Sequence, residues 1–380
     1  MGTPARAAGQ AVTVQADPAH TGNAGAAGLR QPLRRAWARR LPGRLSYPVV
    51  GAGRVFVVRE RPRQAGTEVV ALGLRSGRVL WRRDLGRDAS SGDVAFGGGR
   101  VVVTRESWYD PGDPSAVLAL SPSNGRLLWS RGTGLFDATP PVVDGGMVYV
   151  NGFNGSGVSA LRLSDGAVVW SATTDSGESG SPAVAGDAVF IVMSSCPDVH
   201  RLRRGDGAQV WHPENGCHGG GGSVPVLYRN RLYVVESDRI PPGDVYDAAT
   251  GAIVGPMRAD LTPVFAGDLG VFPQTRRPGE QGTAMPVTLV ARKLGTGRVR
   301  WRFRGDGYLD SAPLISGRLL YVGSGSGWLY GVSVRTGRRV WRAYTGSPVP
   351  APGGSGTLSG LAAAERTLLV PALGRLIAYR

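Results

Sequence analysis

Between Ser311 and Tyr344 the chain reads SAPLISGRLLYVGSGSGWLYGVSVRTGRRVWRAY. Four short apolar runs are separated by polar breaks that contain glycine. Ala312–Ile315 reverses at Ser316-Gly317 into Leu319–Val322. A glycine and serine loop leads to Trp328–Val334, where apolar and polar positions alternate as they do on a half-buried strand. Arg335-Thr336-Gly337-Arg338 then turns into Arg339–Tyr344. Runs this short, bounded by residues that accept tight reversal, predict four antiparallel strands and no helix.

The same phrase recurs along the chain. A glycine, three residues and a tryptophan stand at Gly77–Trp81, Gly125–Trp129, Gly166–Trp170, Gly207–Trp211, Gly297–Trp301 and Gly337–Trp341. A seventh copy, Gly251–Gly255, has lost its tryptophan. The glycines are spaced by 48, 41, 41, 44, 46 and 40 residues. Four strands per unit of this length predict the blades of a β-propeller. Seven blades are expected at Ser46–Leu85, Ser91–Arg131, Ala138–Ala172, Gly180–Pro213, Ser223–Met257, Leu261–Phe303 and Ser311–Tyr344. An eighth, from Leu358 to Arg380, shows three strands only. The fourth is expected from the other end of the chain, where Leu33–Leu41 holds Trp37 in the matching setting. Closure by that strand would remove the open edges of the ring. The expected fold is therefore all-β, one eight-bladed propeller over residues 17–380, preceded by a disordered lead over residues 1–16.

Composition refines this picture. Glycine (59) and proline (27) fall between apolar runs rather than in polar tracts, so they read as turns. The formal charge is +16, yet all but one of the 44 basic residues are arginine, Lys293 being the exception. They are dispersed over turns and strand edges, so no nucleic-acid partner is expected. No apolar run is long enough to span a membrane. Met1–Gln10 contains no apolar stretch of the kind an export leader carries.

The segment Val117-Leu118-Ala119-Leu120 through Gly125 to Trp129 resembles the repeat of the pyrroloquinoline-quinone-type (PQQ-like) propeller family, and Asp17-Pro18-Ala19-His20-Thr21-Gly22 is similar to that family's opening. The resemblance covers the chain from about residue 15 onward. It implies the propeller fold. The repeat is shared by quinone-dependent dehydrogenases, by the outer-membrane assembly lipoprotein and by bacterial sensor domains, so fold alone does not choose a function.

The tryptophans at 37, 81, 129, 170, 211, 301 and 341 occupy one repeated position, which predicts wedges between blades rather than a cofactor platform. The dehydrogenases of the family resemble one another in an adjacent cysteine pair, a calcium site and a catalytic aspartate. Here Cys196 and Cys217 are separated, and no catalytic, cofactor or metal residues are assigned; PQQ with calcium stands as the alternative. Both cysteines are expected on the face where second-to-third-strand loops and inter-blade links emerge. They can meet there as a disulfide, with free thiols or a metal site including His200, His212 and His218 as the other readings. A disulfide implies an oxidising compartment. The same face carries the irregular insertions, including Trp108 and Tyr109 as candidate partner anchors. Asp137, Asp260 and Asp310 each precede a blade's first proline by three residues. They are candidates for a carboxylate ring at the channel mouth, against a bland role as turn caps. The expected function is a non-catalytic, monomeric binding or scaffolding module of the cell envelope or extracellular space, its partner another protein or cell-surface component. A quinone-dependent oxidoreductase and a sensor domain are the alternatives.

Overall fold

In the computed structural model, the described residues are 11–87, 89–107, 115–132, 139–151, 157–173, 180–192, 199–213, 224–235, 243–275, 287–350 and 359–380. They form eight antiparallel sheets, each with its four blade strands in sequential order. Blade seven is representative: Leu314–Ser316, Leu319–Gly323, Trp328–Ser333 and Arg339–Tyr344 pair in that order. Blade one adds a two-residue strand, Arg44–Leu45, on Arg54–Glu60. Its hairpin also stays regular further than the sequence suggests. Glu60 pairs with Thr67, which confines the expected insertion to the short turn between them.

Closure follows the expected route. Arg35–Arg40 pairs with Arg375–Tyr379 to complete blade eight. Arg34 and Arg380 exchange backbone hydrogen bonds at 2.7 and 2.9 Å, so the two ends of the chain share one ladder.

The repeated phrase has a single structural cause. In each unit the repeat glycine is left-handed, as at Gly207 (φ 73°), and its N–H donates to the carbonyl four residues back, Arg203 O, at 2.9 Å. A β-bulge follows, because the residue before the tryptophan finds no opposite number; Trp211 pairs with Arg201 while Gln209 pairs with Leu202. The bulge turns the indole toward the next blade. Its N–H donates to a carbonyl of the next blade, which for every repeat tryptophan but Trp341 lies three residues before that blade's own glycine. Trp37 reaches Leu74 O (3.0 Å), Trp81 Pro122 O (3.0 Å), Trp129 Leu163 O (2.9 Å) and Trp170 Arg204 O (2.9 Å). Trp211 reaches Ala248 O (3.2 Å), Trp301 Val334 O (2.7 Å) and Trp341 Leu33 O (3.0 Å). The next glycine lies against the ring face. A Cβ built on Gly77, Gly125, Gly166, Gly207, Gly251 or Gly337 would come within 2.5 to 2.8 Å of an indole carbon. Only glycine fits this contact. Ring, carbonyl and glycine together form a lock between neighbouring blades.

Residues 11–16 correct the expectation of a disordered lead. Ala11, Thr13, Val14, Gln15 and Ala16 are buried. They begin a strap, residues 11–28, that runs around the inner strands of the ring. Backbone N–H groups of Val50, Phe96, Val184, Leu227, Phe265, Ile315 and Arg366 donate to strap carbonyls at 2.6 to 3.0 Å. Thr13 Oγ1 donates to Pro141 O at 2.9 Å. These partners represent all eight blades. The innermost strands have one unpaired edge each, and the strap satisfies a group on that edge blade by blade. The rest of the expected lead lies outside the described residues.

Candidate functional site

Two regions can carry function in this architecture: the central channel and the face where the longer loops emerge. The channel is built from the starts of the first strands. Val14 of the strap packs there with Tyr47, Val224 and Ala312, which come from blades one, five and seven. Burial, with a smaller contribution from Asp93, pushes the Tyr47 phenol above its ordinary pKa. The strap thus fills this part of the channel with apolar side chains.

Beside this cluster lies a serine–histidine pair that looks catalytic until its hydrogen bonds are followed. Ser181 Oγ stands 3.4 Å from His20 Nε2. The hydroxyl, however, donates to Pro140 O at 2.7 Å. His20 Nδ1 lies 3.0 Å from Pro225 O, an acceptor only, so Nδ1 carries the proton. Both ring nitrogens thus face Pro225 O and the Ser181 hydroxyl. Asp17, three residues away, instead receives the N–H groups of Ala19 and Thr21 (both 3.1 Å) and the Thr21 hydroxyl. His20 is fully buried, and burial lowers its pKa to about 4. A neutral, inaccessible imidazole with its partners on backbone carbonyls is a fastener for the strap, not a general base.

The loop-bearing face shows its rims among the described residues. On blade one, Glu68 is buried and receives Arg59 at 2.9 Å, Arg82 at 2.5 Å and Arg61 at 3.7 Å. Arg61 also meets Asp84 at 2.7 Å. Three guanidiniums thus face two carboxylates. Burial, together with Arg82 and Arg61, holds the Arg59 pKa below its ordinary value against the pull of Glu68. On blade two Ser91 donates to the Glu106 carboxylate. On blade four the rings of His200 and His212 stack 4.2 Å apart, and His200 Nδ1 bonds Gln209 Oε1 at 2.9 Å. Among the described residues no three His, Cys, Asp or Glu side chains converge as a metal site requires.

Of the predicted site residues, Trp108, Tyr109, Asp137, Cys196 and Cys217 lie outside the described residues. Asp260 and Asp310 are described. Asp260 N–H donates to Pro273 O at 2.9 Å, and its carboxylate receives Thr275 N–H (2.5 Å) and Oγ1 (3.1 Å). Asp310 N–H donates to Gly323 O at 3.0 Å. Each ties an inter-blade link to the second strand of its own blade. Nearby, Asp306 receives the hydroxyls of Ser324 (2.8 Å) and Ser326, and these bonds keep its pKa low although burial opposes them. The sequence reading passed over His20, the strap and the Arg59–Glu68–Arg82 cluster. The Asp17–Gly22 string was a signal for the strap, but irregular backbone has no periodicity that would announce its partners.

Comparisons with known proteins agree with this architecture. The sequence model of the family described as outer membrane protein assembly factor BamB matches residues 65–192, 154–254 and 243–380. Among solved structures, BamB from Moraxella catarrhalis is 18% identical, with 92% of this chain and 97% of that chain covered and a TM-score of 0.64. Quinohemoprotein alcohol dehydrogenase from Comamonas testosteroni is 13% identical, covers 97% and 80%, and has a TM-score of 0.69. The computationally designed Ika8 protein is 14% identical, covers 90% and 97%, and has a TM-score of 0.66. At these identities the likeness is one of fold. No curated protein matches the chain. The repeats, the closed ring of eight blades and the family match together place the chain in the BamB family of PQQ-like propellers.

Proposed function

We propose that this chain is a non-catalytic scaffolding propeller that holds another protein, or a cell-surface component, on its loop-bearing face, in the cell envelope or outside the cell. One observation supports the reading: the chain's own strap runs along the inner strands of the ring, and its Val14 packs with Tyr47, Val224 and Ala312 from blades one, five and seven. What remains for recognition is the face with the insertions. Trp108 and Tyr109 supply aromatic anchors for it, and Asp137, Asp260 and Asp310 supply acidic contacts. The three-arginine cluster around Glu68 offers a complementary basic rim. Family membership supports scaffolding. The family's printed description concerns assembly, whereas the dehydrogenase neighbours' printed names concern oxidation. Cys196 and Cys217 form a disulfide in this reading.

The experiment places a photo-crosslinking residue at Trp108, at Tyr109 and, as control, at Val340 on the rim. Discrete protein crosslinks are expected from the first two positions and none from the third. Equal labelling at all three would remove the proposed face. Adding pyrroloquinoline quinone and calcium should leave dye-linked alcohol oxidation at background; turnover that rises saturably with quinone would replace scaffolding by oxidoreductase chemistry. Thiol titration of unreduced, denatured protein should find no free thiol.

A further inference from the structure

Seven seams of the ring are closed by an indole, six of them with the full lock, and one seam has no indole. Blade five carries Gly255 where the tryptophan belongs, so the seam between blades five and six lacks its ring. The receiving half of the lock is nevertheless complete on blade six. Gly297 keeps the left-handed conformation of the others (φ 67°), yet a Cβ built on it would meet nothing within 4 Å. The carbonyl three residues earlier, which accepts an indole N–H in six other seams, is Leu294 O. Among the described residues no N–H donates to it. Its carbonyl and the open glycine face are therefore in register, as they are in six copies of the lock elsewhere.

The inner end of this seam is closed by other means. Met257, Phe265 and Phe272 are buried together there, with Leu294 packed at their edge. The Phe272 ring and the Leu294 methyl group lie over Gly270, where the other blades hold a larger side chain. The blades thus cohere without an indole, and only the outer part of the lock is left unfilled. Ile253 and Val254 flank it on blade five, each 48% exposed. The aliphatic residues before the tryptophan on the locked blades are equally exposed, Leu80 at 48%, Val169 at 46% and Val340 at 53%, so this border is a feature of the repeat.

We propose that the rim of the seam between blades five and six binds an indole-bearing side chain, a tryptophan presented by a partner polypeptide. The chemistry is fixed by the chain's own copies of the lock. The ring lies flat on a glycine that offers no Cβ, and its N–H meets a carbonyl at 2.7 to 3.2 Å. The site is on the rim rather than on the loop-bearing face, so it stands or falls separately from the scaffolding reading.

The test uses the full chain and N-acetyl-5-fluoro-tryptophanamide, followed by fluorine NMR. Saturable binding to the wild type is expected. Gly297→Ala leaves the fold intact, because its methyl group enters open space, but occupies the place of the ring; binding should weaken at least tenfold. Gly255→Trp fills the seam from within and should abolish binding while raising the Tm. N-acetyl-phenylalaninamide, which has no N–H to give Leu294 O, should compete at least tenfold less well than N-acetyl-tryptophanamide. Absence of saturable binding to the wild type overturns the proposal. So does binding to Gly297→Ala equal to that of the wild type, a measurement that needs no result from Gly255→Trp.

Discussion

A methyl group added at Gly207 would stand 2.5 Å from a carbon of the Trp170 ring, on a residue whose φ is 73°. The left-handed backbone alone costs an alanine about 1 kcal/mol, and forcing a rigid ring aside costs about 1–3 more. Gly207→Ala should therefore lower unfolding stability by about 2–4 kcal/mol in urea titration, whereas Gly297→Ala, with open space around it, should lose only about 1 kcal/mol. Equal losses at the two positions would mean that the ring contact contributes nothing. His20 supplies the second prediction at this scale. Its pKa falls from 6.5 to about 4 on folding, because burial disfavours the imidazolium. Between those values the unfolded chain binds more protons than the folded one, so stability rises with pH through that window. The total change is on the order of 3 kcal/mol, fully felt below pH 4 and absent above 6.5. His20→Gln should flatten that part of the stability profile measured by denaturant midpoints at fixed pH; an unchanged slope would exclude His20 as its source. The tryptophan positions were legible in the sequence because each indole does the same job at one repeated place. His20 was not, because its role depends on Pro225 and Ser181, some 200 and 160 residues away in sequence.

Strands are where the sequence spoke most clearly. Alternation and glycine turns sufficed for four strands per blade, and for the borrowed strand Arg35–Arg40. The strap escaped because it makes no ladder of its own. It contributes a few hydrogen bonds to each blade, five of them to blade seven, and then moves on, so neither period two nor period 3.6 marks it. Its separate anchoring leads to a direct test. Deleting residues 1–28 should leave the blade ladders in place and expose the groups the strap covered. By hydrogen exchange, the amides of Val50, Phe96, Val184, Leu227, Phe265 and Ile315 should lose protection, while ladder amides such as that of Leu320 keep theirs. Unchanged protection at the six positions would show that the strap does not seal the inner edges in solution.

Charge is distributed unevenly around the whole ring. Arg162, Arg201, Arg203, Arg204 and Arg231, on blades three to five, each have an aspartate within ion-pair distance. On blades six and seven, Arg298, Arg300, Arg302, Arg338, Arg339 and Arg342 are exposed. Among the described residues none of these six is in an ion pair. The sequence shows the +16 total but not this segregation, since pairing depends on which aspartates the turns bring beside each guanidinium. Retention on a polyanionic column should fall sharply on replacing Arg300, Arg302, Arg338 and Arg342 by glutamine, and much less on replacing the same number of paired arginines on blades three to five. Equal effects would mean that the pairs leave the field of blades three to five unscreened.

The ladder shared by Arg34 and Arg380 also sets a timetable. A ribosome adds about 5–20 residues per second, so the strand Arg35–Arg40 emerges roughly 20 to 70 s before its neighbour Arg375–Tyr379 exists. During that interval the earliest strand waits as a solitary ribbon while other sheets assemble behind it. Arg34, Arg35, Arg39 and Arg40 keep the ribbon hydrated and discourage premature partners until Arg375–Tyr379 is made. The strap faces the same delay, since its last anchor, Arg366, is among the final residues made. Completion of the ring thus waits until its last blade has been made.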